Sequence, residues 1–157
     1  QNKAGLYTEL IESADRQGNM VIQSAVAGGG SFADISRRFL TGTLTLLEDD
    51  TQFRQTVALS LFRTEVSDEL TAANEARARE ADELIAGIAA YMHMGISAGE
   101  VRADIAPEVL ARAFLAYQNG LAWLWLASDR RFALQEDAEA YSDLLLHGIL
   151  KNGRLAD

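Results

Sequence analysis

The 157 residues contain no cysteine and a single proline, Pro107. Without cysteine there is no disulfide framework, no thiolate metal site and no cysteine nucleophile, and every compartment stays open. Histidine is nearly as scarce. His93 and His147 stand far apart and form no H-E-x-x-H or other i, i+4 ligand pair, so the sequence predicts neither a metal nor a catalytic imidazole. Basic residues are in deficit, 14 against 23 acidic for a net charge of -9, which repels a phosphate backbone and predicts that this chain alone does not hold DNA. No apolar run approaches the ~20 residues that span a bilayer, and the start, QNKAGLY, lacks the basic and apolar regions of a signal peptide. The expectation is a soluble, cytoplasmic chain with no membrane partner. A G-x-S-x-G elbow is absent, and no Gly-Lys-Ser/Thr follows Gly28-Gly29-Gly30, so that cluster reads as a flexible link rather than a phosphate cradle. The carboxylates fall mainly on charged helix faces, where solvation accounts for them. No catalytic residue, metal or cofactor is expected, and the chain reads as a non-enzyme.

What remains is helix. Hydrophobic residues make up 48% of the chain and the glycines are mostly dispersed, which fits one globular domain over residues 1–157. Apolar residues at helical spacing predict a first helix over residues 4–26, stopped by the glycine cluster, and a second from Ser31, with Asp34 completing a short capping box, to about Glu48. A third opens at Asp49 or Asp50 and runs through Phe62; a fourth covers about 67–94, with a charged middle that reads as a solvated face. Gly95 and Gly99 bracket a turn, Pro107 starts a fifth helix at its tolerated first-turn position, and a last spans about 134–150. No credible strand is left, so the fold class is all-α, an antiparallel helical bundle.

The fifth helix carries too much apolar surface for one neighbour. Val109, Leu110, Ala113, Phe114, Tyr117, Leu121, Leu124 and Trp125 make one stripe, while Leu115, Ala122, Trp123 and Leu126 fill the far side. Such a helix is covered twice, either at the centre of a monomeric bundle or by its own core and a second copy of the chain. The last helix repeats the excess over Leu144–Leu150. Two such helices predict a four-helix homodimer interface, with Ala116, Gly120 and Gly148 permitting close approach and Trp123, Leu124, Leu145 and Ile149 packing across it.

A few polar residues stand among apolar neighbours: Asp15 after Leu10, Ile11 and Ala14, Arg54 beside Phe53, and Gln118 and Asn119 in the fifth helix. An apolar cavity with a few placed polar groups is the usual form of a small-molecule site. Each also has a plainer account: Asp15 pairing with Arg16 or Arg37, Arg54 answering Asp50, and the two amides bonding across an interface.

Gln1-Asn2-Lys3-Ala4-Gly5-Leu6-Tyr7 resembles the aromatic-His-Phe-x-Asn-Lys-x-x-Leu-Tyr/Phe junction that ends the helix-turn-helix domain of TetR/AcrR-family transcriptional repressors. The run from Gln52 to Phe62, the long charged helix, the Gly99-to-Ile105 turn, Gly120-Leu121 with Trp125-Leu126, and Phe132-x-Leu134 resemble the AcrR/TtgR-type regulatory domain in order and spacing. The resemblance covers essentially the whole chain. It implies the ligand-binding and dimerisation half of a multidrug-responsive repressor, with the helix-turn-helix domain missing and operator DNA reached only through it. The implied effector is a hydrophobic, often aromatic small molecule. Carried over by position, Ile11 and Asp15 align with pocket residues of the first regulatory helix, where an acid meets cationic drugs, and Arg54 and Phe62 with an arginine and an aromatic of the same cavity. Ile11 replaces a large aromatic and Asp15 is one methylene shorter than the usual glutamate. Helical facing adds Tyr91, Phe114, Tyr117 and Gln118. The implied mechanism is a ligand-driven shift of the first regulatory helix that spoils the spacing of the two DNA-reading helices. Two other readings are a helical homodimeric interaction module without a ligand and an enzyme on a helical bundle.

Overall fold

Residue Ser31 begins the best-defined element. Its hydroxyl accepts a hydrogen bond from the Asp34 N–H at 3.1 Å while the Asp34 carboxylate accepts from the Ser31 N–H at 2.9 Å, the reciprocal box expected from the sequence. The structure is a computed structural model that describes residues 16–62 and 71–151. Residues 16–27 form the described part of α1, followed by α2 (Phe32–Asp49), α3 (Thr51–Phe62), α4 (Thr71–Ser97), α5 (Pro107–Ala127) and α6 (Ala138–Ile149). The expected starts of the first and fourth helices lie outside the described residues. Among those described there is no strand, only an isolated antiparallel bridge between Val101 and Leu150. The chain is all-α.

Phe32, Ser36, Leu40, Leu44 and Leu47 recur at three- and four-residue intervals, so α2 presents one buried stripe. Asp50 ends α2 and starts α3: its N–H returns to the Leu46 carbonyl and its carboxylate accepts the Phe53 N–H at 2.7 Å. That bond holds the Asp50 carboxyl below the usual carboxylate range. α4 packs along α5 and α2 along α6, with α3 against α2 and α5. The core has two centres, one around Met92, Phe114 and Leu146, the other around Leu47, Trp125 and Leu134.

Three local expectations need correction. α4 runs on to Ser97 rather than Met94. α6 starts at Ala138 rather than near Leu134, because the Glu48 carboxylate takes the N–H groups of Leu134 (2.9 Å) and Gln135 (2.7 Å) and holds that segment as a turn. Gly28-Gly29-Gly30 is a built corner rather than a flexible link. The Arg38 guanidinium donates to the Ala25 carbonyl through Nε (3.0 Å) and Nη2 (2.9 Å), and to the Gly29 carbonyl, closing the end of α1. Gly30 has φ +96°, and a Cβ on Gly28 would stand 2.8 Å from Arg38 Nε.

Candidate functional site

Packing α1 and α2 on one side against α4 and α5 on the other leaves a cavity of about 380 Å³, within the range of small-molecule pockets. α1 contributes Ile22, Ala25 and Val26; α2 contributes Ile35, Ser36 and Phe39; Phe114 of α5 lies at the base. The long wall is α4, from Glu83 and Leu84 through Gly87 and Ile88 to Tyr91 and Met92, residues that recur on one helical face. Ile22, Val26 and Leu84 are each about half exposed and form the mouth. Phe39 and Phe114 stack with centroids 6.1 Å apart, and Tyr91 stacks on Phe32 at 4.5 Å. The lining is almost wholly apolar. Among the described residues the polar ones bordering it are Glu83, Ser36 and Tyr91, with Ser36 Oγ and Tyr91 Oη 3.3 Å apart. Burial raises the Tyr91 phenol above its ordinary value, opposed by the bond to Ser36.

Of the residues expected at a ligand site, Tyr91 and Phe114 line this cavity. Ile11 and Asp15 lie outside the described residues. Arg54 is elsewhere: its guanidinium donates to the carbonyls of Leu47 (3.2 Å) and Glu48 (2.6 Å) and to Thr51 Oγ1 (2.9 Å), satisfying the end of α2. Phe62 leans on Trp123 at the surface, with ring centroids 6.3 Å apart. Tyr117 and Gln118 border a separate cleft of about 10 Å³ between α2, α5 and α6, room for about one water. There the Tyr117 hydroxyl donates to the Tyr141 carbonyl at 3.0 Å, and Gln118 Nε2 is buried without a hydrogen-bond partner among the described residues. Ile35 and Phe39 are legible in the sequence only as the apolar face of a helix, and Glu83 only as one more charge in a charged run.

Among the described residues, part of the apolar surface of α5 is left uncovered. Trp123 is 46% and Leu124 54% exposed, and Ala116 and Gly120 face outward beside them. α5 packs against α2, α3, α4 and α6 and still leaves this strip outward among the described residues. On α6, Leu145 and Ile149 are buried in the chain's own core; Leu144, 70% exposed, points out with His147 and Gly148. His93 is also exposed, on α4. No described helix is long and apolar enough to cross a membrane.

A comparison with curated protein sequences gave no match. Among solved structures, the chain resembles NalD, the secondary repressor of the MexAB-OprM multidrug efflux pump in Pseudomonas aeruginosa, at 20% identity and a TM-score of 0.74, over 97% of this chain and 76% of that one. At that identity the likeness speaks for the fold. The sequence pattern of the MAATS-type transcriptional repressor, C-terminal region, matches residues 33–151, which hold all of α2 beyond Phe32 and every later helix. The chain thus belongs to the TetR-type transcriptional regulators, as the C-terminal regulatory region of a MAATS-type repressor.

Proposed function

We propose that the cavity between α1, α2, α4 and α5 is the effector site of a ligand-responsive repressor, taking hydrophobic and aromatic small molecules. The supporting observation is the cavity: about 380 Å³, walled by four helices and by the stacked rings of Phe39 and Phe114. α1 forms one wall, so an occupant has different contacts for different positions of α1, and that difference in affinity is what shifts a conformational equilibrium. In this reading occupancy releases operator DNA, which a helix-turn-helix domain holds; the net charge of -9 speaks against DNA contact by this region itself. The efflux role of NalD suggests a multidrug efflux gene as the target, in the cytoplasm. The outward strip of Ala116, Gly120, Trp123 and Leu124 on α5, with Leu144 and Gly148 on α6, suits pairing of two copies about a twofold axis.

Gly87 provides the test. It lines the cavity, and a Cβ there would meet nothing within 4 Å, so Gly87→Leu fills the space while replacing a glycine in a helix interior. Biphenyl-4-ol at 100 times its dissociation constant adds about 2.7 kcal/mol, a rise in melting temperature of roughly 5–10 °C for a domain of this size. The wild-type chain should show the rise and the folded variant should not. Equal shifts in both would move the site elsewhere. Light scattering should give twice the 17.1 kDa chain mass, and the single mass at micromolar concentration would remove the pairing.

A further inference from the structure

We propose that the cavity accepts aromatic molecules with polarity at one end only. The end that enters toward Met92 and Phe114 is bare hydrocarbon or halogen, and a hydroxyl is admitted only at the end left at the mouth, beside Ile22, Val26 and Leu84. This rests on the cavity being the effector site. Its volume sets the scale. An apolar cavity of about 150 Å³ holds benzene, so this one, about 380 Å³, has room for two linked rings. The two ends of such an occupant meet different surroundings. Ile22, Val26 and Leu84 are about half exposed among the described residues, whereas Met92 is 0% and Phe114 4% exposed. One end therefore keeps its contact with water and the other loses it.

At the inner end nothing takes the place of that water. The walls are helical, so their backbone N–H and C=O groups are paired along the helix axes. The bordering hydroxyls are turned to the protein. Tyr91 Oη lies 3.3 Å from the Phe32 carbonyl, which can only accept, and 3.3 Å from Ser36 Oγ. With the phenolic proton directed to Phe32, the Ser36 proton goes to Tyr91, and neither is left for an acceptor on an occupant. Ser36 is 2% exposed, so its oxygen offers almost nothing to a donor. Glu83 is exposed and precedes Leu84, on the side of the mouth. What the lining shows an occupant is almost wholly carbon. A hydroxyl carried inward loses its water and gains no partner, whereas a fluorine of nearly the same size has no such partner to lose.

Four biphenyls of nearly equal shape, titrated into the full chain, test the rule. 4-Fluorobiphenyl and biphenyl-4-ol differ at one end, which either can leave at the mouth, so their dissociation constants should be about equal. 4′-Fluorobiphenyl-4-ol and biphenyl-4,4′-diol differ at the end that has to go inward. There the hydroxyl should weaken binding roughly 5- to 150-fold, the range for a buried polar group left unsatisfied. A second ratio under about fivefold means that the inner end holds a partner for the hydroxyl, and overturns the proposal. So does a first hydroxyl that weakens binding as much as the second, because the mouth then admits none. In both cases the effector reading stands. No binding of any of the four to the wild-type chain defeats the effector reading itself, and full affinity in the folded Gly87→Leu variant places the binding outside the cavity and defeats both.

Discussion

Gly28→Ala should destabilise the protein when Arg38 is present and stabilise it when Arg38 is absent. Nε and Nη2 of Arg38 hold the Ala25 carbonyl at 3.0 and 2.9 Å, and a further bond goes to Gly29. Hydrogen bonds from a charged donor are worth about 1.5–3 kcal/mol each, but these share acceptors at a helix end that water reaches. We therefore expect Arg38→Ala to cost about 1–2 kcal/mol in all, or roughly 2–8 °C in a chain of 157 residues. Gly28 does not have a positive φ, so alanine there suffers no backbone strain and should gain about 0.4–1 kcal/mol by restricting the unfolded chain. In the wild-type background, however, its Cβ would lie 2.8 Å from Arg38 Nε and 2.9 Å from Cζ. The guanidinium then swings away and its bonds are lost. The coupling between the two substitutions is the value of the clamp, about 1–2 kcal/mol. Urea unfolding of the four proteins at one fixed chain concentration measures it. The same sign for Gly28→Ala in both backgrounds would refute the clamp. Ala25 and Val26 line the cavity beside the clamped carbonyl, so Arg38→Ala should also weaken biphenyl-4-ol binding.

Asp129 and Arg130 are consecutive non-glycine residues at φ 56° and 58°, so Arg130→Gly should raise stability by about 1 kcal/mol, a gain of 2–4 °C, and a fall in melting temperature would show the strain is absent. Two hydrogen bonds from Arg102, at 2.8 and 2.7 Å, hold the Asp104 carboxyl at about 2, below its ordinary 3.8. Its contribution is complete above about pH 4 and is lost as the pH falls through 2. The urea midpoint should drop over that interval, less steeply in Asp104→Asn; identical slopes would count against the pair. Part of the slope should remain in the variant, because Asp34 and Asp50 also titrate below the usual range.

Helix number, helix order and the cap at Ser31 are legible because they depend on neighbours three or four residues away. Features set by distant partners are not. Leu134 has the spacing of a helical residue, and nothing near it in sequence reveals that Glu48 will take its N–H. Arg54, isolated among apolar residues, looks like a ligand-binding group until the ends of α2 and α3 are in place and its donors meet carbonyls. Glu83 shows the reverse. Its neighbours from Glu75 to Asp82 are charged and exposed at many positions, so a glutamate that borders a cavity has no distinguishing pattern. Leu145 and Ile149 are separated from Leu144 by only the pitch of the helix, and an apolar run cannot say which of its members faces inward.

The bridge between Val101 and Leu150 has a consequence for the order in which the chain assembles. Arg102 N–H donates to Ile149 and Lys151 N–H to Glu100, while Arg37 reaches Glu139 and Asp143 from α2. Most of what seats α6 joins it to α2, far back in the sequence, with a smaller contact to its neighbour α5, whereas α4 and α5 are linked by a short turn and can pair first. Closing the larger loops is the entropically slower step, so α6 docks late. Until then Leu145, Leu146 and Ile149 are unshielded, and the outward residues Leu144 and Gly148 have no fixed surface to share. Substitutions at the bridge should accordingly change the unfolding rate more than the folding rate, loosening the last piece to arrive.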